Sequence, residues 1–540
     1  MHRSRKGKKS DKKKRNRQRR EKSVESEKTD EEVPEDPDKE NLPYNVEVSD
    51  IMGRYLVASR DLQPGDLVMR EKALVVGPCH DSPPLCLGCY KRFDAENRGD
   101  YRCPGCAWPL CGPQCAGRGQ ELGHSAAECA AMSAHGTARR LPAPLASPGA
   151  RLYYGAVAAL RCLLLKAAAP ARWRTLLTME AHNELRRRIP SLWRRNQELV
   201  VDTIRSLWGM DHFSEDEIHT VCGILEVNAF EIGPHGQSAR SLFPAAFLMC
   251  HDCVPNTSHT DDQQCVLTVR ASTRIPQGRP ITLSYAYTMQ STLKRREHLQ
   301  ESKFFACTCA RCADPTELGT MVGALKCPRC ACDAGVVLSA APLDPDAPWR
   351  CTNAKCPGYT IAAANVRMLM DRIAEEVEAI DSNDVEGLEG FLSRYRNVLH
   401  DNHYHRLGAK HSLSQLYGKA EGYTINVLSD AQLKRKRDIC TDILSVFDVI
   451  EPGYSRLRGI VLYELHAPIM ILATRRFEAR TIGKRELGRD LKKVVRCLEE
   501  ASLILGFEPE GSSEALMAAA ARDALDRLRD WQTVIGKLNA

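Results

Sequence analysis

Clustered cysteines are the residues of this 540-residue chain whose types and spacing most directly indicate chemistry. Between residues 86 and 129, seven cysteines and one histidine follow one another at short intervals. Tetrahedral zinc takes four Cys or His ligands, and a Cys-x2-Cys pair presents two thiolates from one tight turn. Eight such side chains therefore predict two zinc ions, whose binding should supply the folding energy of a segment with few large apolar residues. The predicted ligands are Cys86, Cys89, Cys103, Cys106, Cys111, Cys115, His124 and Cys129.

A second cysteine-rich zone, residues 307–356, predicts two further sites. The run Cys307-x-Cys309-x2-Cys312 leaves a tetrahedral site one ligand short, and Cys253 is the predicted fourth because it follows a buried-looking strand. The other group resembles a zinc ribbon, in which Cys332 remains an alternative to Cys330. The predicted ribbon ligands are Cys327, Cys330, Cys351 and Cys356.

The number of cysteines also bears on the compartment of the protein and on the role of its isolated cysteines. The basic N-terminus has no apolar core behind it, so no secretory signal is predicted. An intracellular, reducing location is therefore expected, where 23 cysteines favour metal binding over disulfides. The isolated cysteines are interpreted as small core hydrophobes: Cys79, Cys162, Cys222, Cys265, Cys440 and Cys497.

The formal net charge of +7 is concentrated at the N-terminus. Residues 1–22 hold thirteen Lys and Arg against two acidic residues, and residues 23–42 are acidic and contain proline. We interpret residues 1–43 as a disordered tail, first basic and then acidic. The basic part is either a solubilising segment or one for nuclear import or non-specific nucleic-acid contact. No window approaches eighteen uninterrupted apolar residues, so no membrane span is predicted.

Hydrophobic periodicity predicts the elements that must position these side chains. Alternating apolar and polar residues around Gly53 and Pro64-Gly65 predict two strands joined by a turn. Residues from about 150 to 225 show a helical pattern, and residues 226–287 return to short strands. Beyond residue 360 the pattern is helical to the end, which suggests stacked helix pairs without a fixed period.

The order of these pieces resembles the SET and MYND domain-containing lysine methyltransferases, and most of all their arthropod-type members. The resemblance covers about residues 44–540. GRYLVASRDLQPGD is similar to the first SET strands, and LKRREHLQESKFFACTCARC is similar to the post-SET segment. VNAFEI, LFPAAFLMCHDCVPN and ITLSYAY are similar to the core SET motifs in their usual order.

The resemblance implies an α+β chain. A β-rich SET domain would be split by a zinc-binding MYND finger and a helical insert. A cysteine-rich post-SET segment and an all-α tetratricopeptide-like domain would follow. The implied boundaries are 44–85 for the N-terminal SET strands, 86–129 for the MYND finger, 130–225 for the helical insert, 226–287 for the core SET region, 288–360 for the post-SET and ribbon-like segment, and 361–540 for the helical domain.

The resemblance also assigns the metal ligands. It favours Cys253 over Cys250 as the fourth post-SET ligand, since Cys253 holds the family's ligand position. In MYND fingers the ligands interleave. One zinc would be held by Cys86, Cys89, Cys111 and Cys115, and the other by Cys103, Cys106, His124 and Cys129.

For the chemistry, the resemblance implies methyl transfer from S-adenosylmethionine to a protein lysine. Tyr285 corresponds to the tyrosine whose hydroxyl lies near the sulfonium and the amine, and Phe305 belongs to the channel wall or lies against the adenine. Asn228 corresponds to an asparagine for the cofactor's polar end, and His251 to a histidine whose main chain meets the adenine. Tyr287 is a further candidate for the channel.

Three other positions receive weaker assignments. Arg54 follows Gly53 where family members often have Gly-x-Gly, and losing the second glycine restricts the backbone beside the cofactor. Glu180 and His182 are candidates for the ribose side, although a helical surface role is favoured for both.

Cys250 is the main departure from the family pattern. The family writes Asn-His-x-Cys-x-Pro-Asn, and this chain has Cys250 where the asparagine would stand. An amide both donates and accepts hydrogen bonds, whereas a thiol does both weakly. Losing a hydrogen bond to a charged cofactor costs about 1.5–3 kcal/mol, which weakens cofactor binding about ten- to hundredfold.

Two hypotheses follow. In the first, the chain is an active methyltransferase of histone or other protein lysines in transcriptional regulation, monomeric, in the nucleus or cytoplasm or both. In the second, it is a weak or inactive adaptor whose finger binds proline-rich corepressor peptides. Direct DNA binding by the finger is not expected, because GPQCAGRGQELGHSAAEC contains one arginine.

Overall fold

The structure is a computed structural model that describes residues 42–79, 82–93, 99–141, 148–233, 239–330 and 335–538. The predicted basic tail and its acidic continuation lie outside these ranges up to residue 41, and so does Cys332. From Pro43 on, the described residues belong to one compact unit.

Small sheets carry the part of the chain around the core SET motifs. Their strands are β1 Tyr44–Ser49, β2 Gly53–Ala58, β3 Leu67–Lys72, β4 Val75–Pro78, β5 Phe230–Ile232, β6 Ala239–Leu242, β7 Cys250–His251, β8 Thr257–Asp261, β9 Val266–Ala271 and β10 Thr282–Leu283. β1 and β2 form a hairpin, β3 pairs with β9 and β9 with β8, and β6 lies between β4 and β5. β3 and β4 therefore find their partners after residue 238. β7 and β10 form a short parallel pair, with Cys250 opposite Thr282.

Helices fill most of residues 126–228, in the second part of the chain between β4 and β5. They are α1 Ala126–Ala134, α2 Pro148–Ala168, α3 Pro170–Leu176, α4 Asn183–Arg187, α5 Pro190–Asn196 and α6 Glu215–Asn228. α2 packs directly on β4, where a Cβ on Gly77 would lie only 2.5 Å from the Cβ of Ala158, so the close approach requires glycine. α6 begins with a capping box between Ser214 and Glu217 and ends at Asn228. This fixed helix therefore delivers Asn228 to the start of β5.

The second half of the chain holds a further sheet and a run of helices. Strands β11 Leu325–Lys326, β12 Val336–Ser339, β13 Trp349–Cys351 and β14 Thr360–Ile361 form an antiparallel sheet in that order. Consecutive long helices pack on each other around one large apolar core. The helices are α7 Thr292–Ser302, α8 Ala310–Ala313, α9 Ala363–Glu378, α10 Val385–Arg394, α11 Tyr404–Leu416, α12 Asp430–Ile450, α13 Arg456–Glu478, α14 Lys484–Leu505 and α15 Ser513–Leu538.

Within the described residues, α13 is the one helix long and apolar enough to cross a membrane by length and composition. Half of its most apolar window, 50%, is buried in the protein. It also carries the buried Glu464, whose Oε2 lies 2.6 Å from the buried Nζ of Lys436 in α12. Core helices pass the same length and composition test, so α13 is weak evidence for a membrane span.

A buried carboxylate, Glu317, joins the segment that carries Cys307, Cys309 and Cys312 to the core strands. Its Oε2 lies 2.8 Å from Nη1 of Arg295 and 3.0 Å from Nη2 of Arg311. Arg311 also donates to the carbonyl oxygens of Cys253 (3.2 Å) and Thr288 (2.7 Å). Burial alone would raise the pKa of Glu317, but the two guanidinium groups hold it below its ordinary value. The carboxylate is therefore the buried counter-charge of both arginines.

Replacing Glu317 with glutamine should destabilise the protein strongly. Glu317→Gln leaves two buried guanidinium groups without their counter-charge, which should lower the free energy of unfolding by about 3–5 kcal/mol. Denaturant unfolding at neutral pH measures the change. Glu301→Gln on the exposed side of α7 is the matched control and should change stability by less than about 0.5 kcal/mol. Equal stability of the two variants would contradict the role given to Glu317.

Candidate functional site

The structure brings the eight predicted finger ligands together in two groups of four. In each group, the ligand atoms all lie within 4.8 Å of one another. Cys86 Sγ lies 3.5 Å from Cys115 Sγ in one group, and Cys106 Sγ lies 3.3 Å from His124 Nε2 in the other. Four sulfurs, or three sulfurs and an imidazole, are donor sets suited to tetrahedral zinc. The groups are Cys86, Cys89, Cys111 and Cys115, and Cys103, Cys106, His124 and Cys129.

A buried glutamate and arginine, which the sequence did not single out, orient the second finger group. Nδ1 of His124 lies 2.7 Å from Oε1 of Glu128, so the histidine turns Nε2 toward the cysteines. Glu128 also pairs with Arg161 of α2. Arg161 donates to the carbonyl oxygens of Val76 (2.8 Å) and Leu87 (2.8 Å). The pair therefore connects the finger, α2 and β4, and the only sequence signal is a glutamate four residues after His124.

The third group consists of Cys253, Cys307, Cys309 and Cys312, again within 4.8 Å. Cys253 Sγ lies 3.5 Å from Cys312 Sγ, and Arg295 Nη2 lies 3.5 Å from the same Cys312 sulfur. Cys250 is not a member of this group. Its thiol donates to the carbonyl oxygen of Ile281 at 3.7 Å, and burial raises its pKa to about 11. Cys250 is therefore a neutral thiol at pH 7.

The fourth group lies at the ends of β11 and β13. Cys327 Sγ is 3.7 Å from Cys356 Sγ, and Cys330 Sγ is 3.7 Å from Cys351 Sγ. These four residues meet without Cys332, the alternative ligand, which lies outside the described residues.

The isolated cysteines divide into two kinds. Cys162, Cys222, Cys440 and Cys497 are buried, as expected for core residues. Cys79 and Cys265 are only partly buried, and Cys265 packs against the core of the small sheets. Cys265 ends a tight turn before β9 with a φ of +60°.

Three aromatic rings converge beside the third cysteine group. The ring of Tyr285 lies 5.4 Å from that of His251 and 6.4 Å from that of Phe305, centroid to centroid. His251 Nδ1 accepts the backbone N–H of Tyr285 at 3.0 Å, and its Nε2 lies 3.2 Å from Cys253 Sγ. The Tyr285 hydroxyl donates to the carbonyl oxygen of Met249 at 2.5 Å. Burial raises the pKa of Tyr285 above its ordinary value, so its phenol stays protonated at neutral pH.

Asn228 lies at another side of the same region. Its Nδ2 donates to the carbonyl oxygens of Glu180 (2.8 Å) and Ile224 (2.9 Å). His182 packs its ring edge-on against Phe304, with 5.5 Å between centroids. Glu180 and His182 precede α4 and lie in no helix, so the helical part of the favoured surface role is wrong for both. Glu180 is exposed and His182 is partly buried.

Arg54 and Tyr287 are two further residues that the sequence analysis assigned to the site, and both are exposed. Arg54 is exposed, donates to the carbonyl oxygen of Thr178, and holds its guanidinium 5.6 Å from the ring centroid of Phe247. Tyr287 is 52% exposed and lies outside the group of three aromatic rings.

Lys303 is a residue of this region that the sequence analysis missed. Its Nζ lies 5.8 Å from the ring centroid of Tyr285 and donates to the carbonyl oxygen of Val227 at 2.6 Å. The signal available in the sequence was a lysine directly before two phenylalanines, Phe304 and Phe305.

Comparisons with known proteins give relatives but no family model, since none matches the chain. The chain is 32% identical over 334 residues to the SET domain-containing protein SmydA-8, isoform B, of Drosophila melanogaster, covering 58% of this chain and 66% of that protein. It is 23% identical over 446 residues to the histone-lysine N-methyltransferase ASHR1 of Arabidopsis thaliana, covering 76% and 83%. It is 27% identical over 141 residues to human protein-lysine N-methyltransferase SMYD4, covering 26% and 17%. The chain spans slightly less than two thirds of SmydA-8.

Elemental analysis of the purified protein should find four zinc ions per chain, one for each cysteine group. Cys351→Ser should remove one ion, because a three-ligand site at the end of β13 binds zinc more weakly. Cys440→Ser, in the core of α12, is the matched control and should remove none. Fewer than four ions in the wild-type protein, or an unchanged zinc content in Cys351→Ser, would contradict these assignments.

Proposed function

We propose that the chain belongs to the SET and MYND domain-containing proteins and that it is a protein-lysine methyltransferase using S-adenosylmethionine. The observation that carries the proposal is the convergence of the rings of Tyr285, His251 and Phe305 beside Cys253. We propose histone or other protein lysines as substrates, in transcriptional regulation, for a monomer in the nucleus, the cytoplasm or both.

The chemistry of the pocket suits a lysine amine that must lose its proton. Free lysine has a pKa of about 10.4, so deprotonation at pH 7 costs roughly 4.6 kcal/mol. An apolar wall such as the rings of Tyr285 and Phe305 disfavours the ammonium by desolvation. When bound, S-adenosylmethionine supplies the electrophilic methyl group.

The Tyr285 hydroxyl is fixed in this wall. Because it donates its proton to the carbonyl oxygen of Met249 and remains protonated, the hydroxyl oxygen can still accept a hydrogen bond. A fixed oxygen acceptor can orient an amine or a polarised methyl group without moving a proton itself. We therefore assign Tyr285 an orienting role in the transfer.

The residues present fit the cofactor and the metals. Asn228 and the main chain of His251 in β7 would hold the cofactor, with Phe305 beside its adenine and Arg54 at the pocket's exposed edge. The four cysteine groups offer the soft donors that zinc prefers, two in the finger, one in the post-SET segment and one in the ribbon-like sheet.

An adaptor is the second candidate function, and Cys250 is the observation that favours it. The thiol at this position donates weakly and is engaged with Ile281, so it offers the cofactor less than an amide would. In this candidate, the finger binds proline-rich corepressor peptides and the C-terminal helices bind a partner protein. Contact of the basic tail with nucleic acid would remain non-specific.

Labelled S-adenosylmethionine, incubated with the protein and a panel of histones and cell extracts, tests the enzyme proposal. Wild type should transfer label to protein lysines, and Tyr285→Phe should lower the rate about 100-fold, since one fixed polar contact in a buried site contributes about that much. Tyr287→Phe, at an exposed phenol two residues on, should keep the wild-type rate. No transfer by wild type, together with no cofactor binding in calorimetry, would overturn the proposal.

Restoring the amide at position 250 should strengthen cofactor binding. Cys250→Asn should bind S-adenosylhomocysteine about tenfold or more tightly than wild type, because it regains one hydrogen bond to a charged ligand. Isothermal calorimetry measures both affinities, with Cys250→Ala as the control that removes the thiol without adding an amide. Equal affinity of Cys250→Asn and Cys250→Ala would show that position 250 does not meet the cofactor.

A further inference from the structure

Lys303 places a cation inside the candidate site. It lies between α7 and the third cysteine group, and its Nζ donates to the carbonyl oxygens of Val227 (2.6 Å) and Glu226 (3.3 Å). These carbonyls belong to the last turn of α6, directly before Asn228. The ammonium therefore lies where the polar end of the cofactor is expected, with the Tyr285 ring on one side.

This ammonium lacks a counter-charge of its own. Within the described ranges, no carboxylate oxygen lies within 4.0 Å of Nζ. Glu226 and Glu231 are the acidic side chains whose charge acts on it. The Glu226 carboxylate, however, is already engaged with Arg186 at 3.0 Å and with Asn196 at 2.9 Å. A largely buried cation without a paired anion is costly, which makes an anionic ligand favourable at this position.

The ammonium also has a hydrogen-bond donor to spare. A lysine carries three N–H donors, and the contacts in the described part of the chain use two, both with neutral carbonyl oxygens. Burial lowers the pKa of Lys303 to about 8, which still leaves it mostly protonated at pH 7. A third, charge-assisted hydrogen bond would satisfy both the remaining proton and the charge.

We propose that Lys303 binds the α-carboxylate of the cofactor, an inference that rests on the proposed methyltransferase function. The carboxylate accepts the third ammonium proton and supplies the missing counter-charge. This contact also offsets the hydrogen bond that Cys250 does not make, so the pocket holds the amino-acid end of the cofactor by charge in place of an amide.

Calorimetry with two ligands tests the inference without any methyl transfer. The ligands are S-adenosylhomocysteine and its decarboxylated form, which lacks only the α-carboxylate. Lys303→Met, which keeps the length and apolar stem, should bind S-adenosylhomocysteine about ten- to hundredfold more weakly than wild type. It should bind the decarboxylated ligand as wild type does. Lys303→Arg keeps the charge and should recover most of the lost affinity.

Three other outcomes would each contradict either the role of Lys303 or the proposed function on which it rests. If Lys303→Met binds S-adenosylhomocysteine as wild type does, Lys303 does not meet the carboxylate. If it loses both ligands equally, Lys303 only fastens the loop before Phe305 to α6, and the inference is wrong. If wild type binds neither ligand, the proposed function itself fails, and the inference falls with it.

Discussion

The pairing of one buried carboxylate with two arginines is the interaction on which the candidate site depends. Glu317 holds Arg295 beside the sulfur of Cys312 and holds Arg311 against the carbonyl oxygen of Cys253. These two cysteines come from segments more than fifty residues apart in sequence, and Cys253 also contacts the histidine that accepts the N–H of Tyr285. The same buried charges therefore position both the third cysteine group and the aromatic rings beside it. Glu128 and Arg161 play the same part for the finger.

The cysteine groups could be predicted from the sequence because metal-ligand spacing is a local property. Cys-x2-Cys turns bring two sulfurs together whatever the rest of the chain does. The interleaved division of the eight finger ligands, by contrast, was implied by the family resemblance, and the structure groups the same sets. The fourth ligand of the third group needed more than spacing, since Cys250 and Cys253 are neighbours. The family resemblance favoured Cys253, and the structure confirms it, since the Cys250 thiol in β7 donates to the carbonyl oxygen of Ile281.

Contacts between distant residues could not be predicted in the same way. In the sequence, Arg161 is one of many arginines in an alanine-rich helical segment, and no neighbouring residue indicates that it pairs with Glu128. Lys303 reads as a surface lysine near the end of α7, yet the turn after that helix directs it inward to Val227. The helical pattern of residues 150–225 and the strands of 226–287 were recognisable, whereas their pairing partners were not. The partial burial of Cys79 and Cys265 could not be predicted from the sequence either.

The long separation between paired strands has a consequence for synthesis. β3 and β4 leave the ribosome well before β9 and β6, which complete their sheets. At about 5–20 residues per second, the early strands wait on the order of ten seconds or more for their partners. The finger, by contrast, has all its ligands between Cys86 and Cys129 and can close as soon as zinc is available. The supply of zinc in the translating cell therefore decides whether the finger is already folded while β3 and β4 still lack their partner strands.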